Sequence, residues 1–301
     1  GWQCVADVSL TSMDRIRARG VSTARVESPV MSDSLIRSWQ SMTTSEAQHL
    51  SATDPVVILP VAAIEQHGPH LPLSTDLDIG LGLLENAFQH LPSDFPAWVL
   101  PPQTIGSSAE HMSFPGTLSL DENLLGRIIS TLGGAVARCG VKRLLISNSH
   151  GGNRRVIDAA GLQLRRASKL LGIKSHYFLF PRPAGADLPN AEWHHGLHGG
   201  AIETAMMLHL RPDLVRTSEV TDFPPLGNLL ERTLRHVGTD EEGGSVSWLA
   251  EDLNRDGVAG NATLASPEMG ERLVNGYGQV LADVIRDTKE FPIERMERGP
   301  S

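Results

Sequence analysis

The chain has 301 residues, 40% hydrophobic and 20% charged, with 26 Lys and Arg against 35 Asp and Glu and therefore a formal net charge of -9. That is enough apolar material for one large core, while the acidic balance argues against nucleic acid or an anionic membrane as a main partner, since both are bound through clustered Lys and Arg. No run approaches the roughly 18 consecutive apolar residues of a bilayer span, and Cys4 and Cys139 alone supply neither a disulfide framework nor a thiolate metal site. The expectation is a soluble protein of the reducing cytoplasm that acts on a small molecule.

In chain order, residues 1–30 mix Arg, Ser, Thr and Val without periodicity and read as a flexible arm or extension; Met31 opens the stretch that looks like a start. Asp7, Asp14 and Glu27 weaken a targeting-peptide reading of that arm. The catalytic domain is expected over residues 31–301. Residues 56–61 (VVILPV) form a β-branched apolar run of the kind that makes a buried strand, followed by the polar loop EQHGPHLPLSTD and a helix over 78–90. Residues 97–100 are a second strand, and a long Pro/Gly loop leads to a helix that Asp121 caps and Gly140 ends. Strands are predicted over 141–147 and 175–180, with helices over 153–171, 198–209 and 267–288, the last with Pro267 in its first turn. Strands alternating with helices imply a three-layer αβα sandwich with a mostly parallel sheet. In such sheets ligands sit at the carboxyl ends of the strands, so the loops after Val61, Leu100 and Ser147 and the helix start near Gly199 should converge on one crevice.

Those loops hold the chemistry. Glu65 and His67 alternate along one segment, and Gly68, Pro69 and Pro72 turn the chain so that Asp76 can swing back towards them. Imidazole and carboxylate are the ligands of Zn²⁺, Mn²⁺ or Fe²⁺ where thiolate is lacking, and a carboxylate shared by two ions holds such pairs about 3.5–4 Å apart. Asp76 is the best placed for that bridge. A polar surface loop is the plain alternative for this segment. Asn148-Ser149-His150-Gly151-Gly152-Asn153 follows a buried strand, and His150 is a ligand candidate there, with a hydrogen-bonded loop histidine as its alternative.

Glu203 lies inside an otherwise apolar helix, where an acid is costly to bury without a cation unless it is on the solvated face. His198 just before it suits proton transfer or a capping role. Glu110 and His111, in the loop that should overhang the crevice, and His194 are weaker candidates for substrate contact. Met206, Met207 and Trp248 read as core or interface. No zincin His-Glu-x-x-His, P-loop or nucleophile elbow is present. A phosphoesterase would have only Arg154 and Arg155 as a basic clamp.

Over residues 39–290 the sequence resembles the creatininase (creatinine amidohydrolase) family, through LPVAAIEQHGPHLPLSTD at 59–76, EHMSFPGTLSL at 110–120, NSHGGN at 148–153 and HGGAIETAMML at 198–208. The resemblance implies a compact α/β fold, two divalent metal ions (Zn, Mn or Fe), hydrolysis of an amide or cyclic amide C–N bond, and a homo-oligomer, hexameric in the family. Carried over by position, Glu65, Asp76 and His150 would hold one ion and His67 and Asp76 the other, with Glu203 completing the site and His198 in proton transfer. Members that hydrolyse creatinine carry His-Tyr-Glu-Asn where this chain has His150-Gly151-Gly152-Asn153, so a metal-binding glutamate of theirs is replaced by Gly152. Their tryptophan four residues before the histidine of the HGG segment is His194 here. Both departures point away from creatinine and towards relatives that act on formamides of pyrimidine intermediates or on a modified peptide. Creatinine hydrolysis proper, and a non-catalytic metal-binding member of the fold, are the alternatives.

Overall fold

The run Val56–Val61 becomes β1, whose side chains alternate between two apolar layers. Val56 and Ile58 face one layer, and Val57, Leu59 and Val61 the other. Full burial on both faces is why the strand reads as an unbroken hydrophobic run. The computed structural model describes residues 35–239 and 243–297, and the arm expected over 1–30, with Cys4, lies outside the described residues.

Before β1 comes a short helix, α1 (Thr44–His49), closed by a capping box between Thr43 and Glu46. After it follow α2 (Thr75–Gln89), β2 (Ala97–Val99), α3 (Glu122–Arg138), β3 (Arg143–Asn148), α4 (Arg154–Ser168) and β4 (Leu171–His176). The second half of the chain is mainly helical, with α5 (Asn190–His195), α6 (Ala201–Leu210), α7 (Leu226–Thr233), α8 (Ala250–Leu253) and α9 (Pro267–Glu290), and holds two small two-stranded sheets besides. The main sheet has the order β2-β1-β3-β4 and is parallel throughout. Helices α3 and α4 pack on one face through Leu125, Ile129, Ile157 and Leu164. The other face is covered by α2, α6 and α9 through Ile79, Leu83, Met206, Met207, Leu273 and Leu281. This is the expected three-layer arrangement, and Met206 and Met207 belong to its core.

Several boundaries differ from the sequence reading. Helix α2 begins at Thr75 and not at Asp78, because the Thr75 hydroxyl donates to the Pro72 carbonyl and the Asp78 amide donates to Ser74, closing the first turn early. Asp76 therefore sits in a helix rather than in the loop. The strand expected over 175–180 lies earlier, at Leu171–His176, and Tyr177–Leu179 is a 3-10 turn. The cause is Lys169, whose left-handed backbone (φ 56°) ends α4 at Ser168 and sends Leu170 and Leu171 into the core. Strand β3 is shifted to Arg143–Asn148, in register with β1 so that Asn148 lies beside Val61.

Helix α9 approaches its neighbours closely at two glycines. A Cβ on Gly270 would lie 1.9 Å from the Ala205 carbonyl oxygen of α6, and one on Gly278 would lie 2.1 Å from Asn86 Oδ1 of α2. Glycine is required at both contacts.

Candidate metal centre

Four segments meet beyond the carboxyl ends of β1 and β3. Ile64 bridges to Leu118, the Glu65 amide donates to the Leu73 carbonyl at 3.1 Å, and the loop between them is reversed at Gly68, where φ is +72°. A side chain there would strike Val258, at 2.2 Å from Cβ to Cγ2. The reversal delivers Asp76 to the first turn of α2, where the helix dipole favours a carboxylate. Asn153 ties the other loops together: its Oδ1 accepts from the Ser107 amide at 2.9 Å, and its Nδ2 donates to the Ala62 carbonyl and to Asn148 Oδ1, both at 3.1 Å. His198 joins through an antiparallel bridge to Ala259.

The result is two overlapping triads of side chains that could hold a metal ion. Glu65, Asp76 and His150 form one, and His67, Asp76 and Glu203 the other, with the ligand atoms of each within 4.8 Å of one another. Asp76 belongs to both. A third grouping, Glu65, His67 and His198, overlaps them. His150 Nδ1 lies 3.2 Å from Glu65 Oε1 and 3.5 Å from Asp76 Oδ2. His67 Nε2 lies 3.6 Å from Asp76 Oδ1 and 3.7 Å from Glu203 Oε2.

Backbone carbonyls choose which ring nitrogen faces inward. His67 Nδ1 donates to the Glu65 carbonyl at 3.1 Å, leaving Nε2 for the site, and His150 Nε2 donates to the Ser107 carbonyl at 2.9 Å, leaving Nδ1. Glu203 is held by the Gly199 amide at 2.6 Å and the Tyr177 hydroxyl at 3.2 Å. Glu65 Oε1 and Oε2, His67 Nε2 and Asp76 Oδ2 are buried with no hydrogen-bond partner. Unpartnered buried carboxylate oxygens are expensive, and here they converge on the atoms that a divalent cation takes as ligands. The donor set therefore fits the metal pair that the family resemblance implies.

The electrostatics agree. Burial works against charge on His67, but Asp76, Glu203 and Glu65 outweigh it and push its pKa up to about 9. His150 is likewise driven up to about 10, against burial, by Glu65, Asp76 and Glu110. Burial and then the Glu65 charge raise Asp76 to about 6. Burial opposes ionisation of Glu65, yet His150, His111 and His198 around it hold its carboxyl well below the usual range. Without metal, protons on the imidazoles occupy the role that cations would fill.

Other candidates are placed as follows. Glu110 Oε1 lies 3.6 Å from His150 Nε2, behind the ring rather than on its inward face. His111 is buried, with Nε2 at 3.4 Å from Glu65 Oε1. His194 is exposed on α5 and takes part in none of these contacts. His70 is set apart as well: Nε2 meets the Thr204 hydroxyl at 2.9 Å, the ring stacks on Phe223, and burial lowers its pKa to about 4. At Gly152 a Cβ would lie 2.4 Å from the Ser107 carbonyl, 2.5 Å from His150 Nε2 and 2.6 Å from Glu110 Oε1, so the chain has no room for a side chain there.

Two residues escaped the sequence reading. Gln66, between two ligand candidates, is buried with its carboxamide among three polar groups. Glu192 is a buried acid that accepts from the Ala201 amide at 2.7 Å and the Asn261 amide at 2.8 Å, fixing the start of α6. An acid shortly before an HGG segment was the available signal for the second.

A parallel α/β sheet carrying a shared-carboxylate ligand cluster at its strand ends has the architecture of a metal-dependent hydrolase. The model of the family described as "Creatininase: Creatinine amidohydrolase" matches residues 40–285, and the chain belongs to that family of amidohydrolases. It is 32% identical over 247 residues to the mycofactocin precursor peptide peptidase of Mycolicibacterium smegmatis, covering 81% of this chain and 89% of that one. It is 29% identical over 259 residues to the creatinine amidohydrolase of Pseudomonas putida, covering 81% and 92%. A solved structure described as "Creatininase Mn" superposes with a TM-score of 0.68 at 28% identity, over 85% of this chain and 99% of that one. Among the described residues no helix is long and apolar enough to cross a membrane.

Proposed function

We propose that this chain hydrolyses the C–N bond of a small amide, cyclic amide or formamide with a metal-activated water, residues 31–301 forming the catalytic domain. The observation that carries the reading is the pair of ligand triads sharing Asp76, with buried unpartnered atoms aimed between them. In this reading Glu65, Asp76 and His150 hold one divalent ion and His67, Asp76 and Glu203 the other, and zinc, manganese and iron all suit such ligands. Ions bound there lower the pKa of a water from 15.7 towards about 7 and polarise a carbonyl oxygen.

The chain's own groups supply positioning and proton transfer. His198 donates from Nε2 to the Gln66 carbonyl at 2.7 Å, which leaves Nδ1 as a lone pair 3.7 Å from Glu65 Oε1. From there it takes a proton from the attacking water and returns it to the leaving nitrogen. Burial, with His67 and His111 nearby, pushes the His198 pKa well down, so the ring is neutral in the metal-free protein. Glu110, whose carboxylate fills the space beside Gly152, is a weaker candidate for substrate contact, and His194 is exposed. The packed surroundings of Gly152 support a substrate other than creatinine, since an acid at that position has nowhere to go. By the family's habit the protein is a homo-oligomer, a hexamer in this reading, and the shortage of cysteine suits a cytoplasmic setting.

Elemental analysis of protein loaded with zinc, manganese or iron, followed by a screen of amides, lactams and N-formyl compounds, tests the proposal. Turnover that depends on metal is expected. Stoichiometric metal with no hydrolysis of any compound would favour a metal-binding protein without catalysis.

A further inference from the structure

The carboxamide of Gln66 is keyed from several sides. Its Oε1 accepts the Gly68 amide at 2.9 Å and its Nε2 donates to the Gly257 carbonyl at 2.7 Å. An N–H can only donate and a carbonyl can only accept, so the two contacts independently assign the same amide orientation. Gly257 is obligatory for it: a Cβ there would lie 2.5 Å from Gln66 Oε1, and its φ is +73°.

One N–H of Gln66 remains, with two imidazoles in reach, His111 Nδ1 at 2.8 Å and His198 Nε2 at 3.2 Å. His198 Nε2 cannot accept it, because that nitrogen carries the proton given to the Gln66 backbone carbonyl. The N–H therefore goes to His111 Nδ1, which must be the lone-pair nitrogen. His111 then carries its proton on Nε2, 3.4 Å from Glu65 Oε1. The two rings, 4.3 Å apart between centroids, present unlike ring nitrogens to the same carboxylate oxygen: a lone pair from His198 and an N–H from His111. His111 belongs to none of the ligand groupings among the described residues.

We propose that His111 is a fixed Nε2–H donor to the carbonyl oxygen of the bound amide, beside the proton acceptor His198, and that Gln66 is the positioning residue that sets its tautomer. The proposal rests on the amidohydrolase reading above and adds to it a third polar group that is not a metal ligand. A donor preset in a buried site costs no reorganisation as charge develops on the oxygen, and removing one such donor typically lowers kcat about 10²–10³-fold.

Two measurements test it. In metal-loaded protein labelled with [15N]histidine, NMR should show His111 protonated at Nε2 and unprotonated at Nδ1. Gln66→Glu, which replaces the donor by an acceptor, should move the proton to Nδ1. A proton on Nδ1 in the unsubstituted protein, or an unmoved one in Gln66→Glu, overturns the role of Gln66. Acetohydroxamate then serves as a carbonyl-bearing probe by calorimetry. His111→Ala should weaken its binding about tenfold, the worth of one buried hydrogen bond, and His111→Gln, which retains an N–H, should recover most of the loss at unchanged metal content. Equal affinity in all three proteins overturns the donor. Probe binding that depends on His111 in a protein that hydrolyses no amide would uphold the donor while sinking the hydrolase reading, so the two fail separately.

Discussion

Asp76 is the one side chain common to both ligand triads. Asp76→Ala is therefore expected to lose both ions, whereas Glu203→Ala should lose only the one it would share with His67. Elemental analysis after dialysis separates the outcomes, and full occupancy in Asp76→Ala would sink the bridging assignment. Proton counts provide a second check. With His67 at about 9 and His150 at about 10, both imidazoles are charged at pH 7 in the metal-free chain. Metal loading must displace those protons, so about two should be released per molecule at neutral pH. Calorimetry in buffers of different ionisation enthalpy measures the number, and zero release would contradict the ligand roles of both histidines.

Much of this site was legible at the residue level because Glu65, His67, Asp76 and His150 lie in polar, Gly-containing stretches that follow apolar runs, while His198 opens and Glu203 interrupts an apolar helix. Gln66 was not, for a physical reason. Its partners His111 and Gly257 are 45 and 191 residues away in the chain, and an amide carries no charge that would mark it as costly to bury. His194 shows the opposite error: its proximity in sequence to His198 did not survive folding, since α5 leaves it facing solvent.

Among the elements, the layers and the parallel sheet follow from periodicity, whereas strand ends do not. The apolar run around Tyr177 and Phe178 reads as a strand, but one left-handed residue, Lys169, shifts β4 towards the N-terminus. The entry into α6 is fixed less by its own sequence than by Glu192, a buried carboxylate that bonds two backbone amides. Glu192→Ala should strand those donors and cost about 1–3 kcal/mol each way they are left unpaired. A fall in Tm accompanied by weakened retention of the ion nearest Glu203 is expected. An unchanged Tm would show that other groups hold the helix start.

For the molecule as a whole, the metal-free protein should depend on pH in a definite direction. His67 and His150 are raised above their ordinary value of 6.5, so their pairing with carboxylates stabilises the fold fully below that pH and is lost as pH climbs through about 9 and 10. Thermal melts of chelator-treated protein should fall in Tm between pH 7 and 10, and metal-loaded protein should fall less, because the ions replace the protons. At a free metal concentration of 100 times Kd the bound ion adds about 2.7 kcal/mol. Parallel pH profiles with and without metal would count against this linkage.

The close approaches of α9 bear on when the centre can exist at all. Asp76 is carried by α2 and Glu203 by α6, and both helices rest on α9 at Gly278 and Gly270. On a ribosome every ligand is synthesised before residue 267, where α9 begins. The candidate ligands are thus all present in the nascent chain while the helix that packs on both α2 and α6 is still unmade. Metal capture is expected to be a late event of synthesis, because a chain halted before α9 would hold all five candidate ligands without the helix that backs two of them.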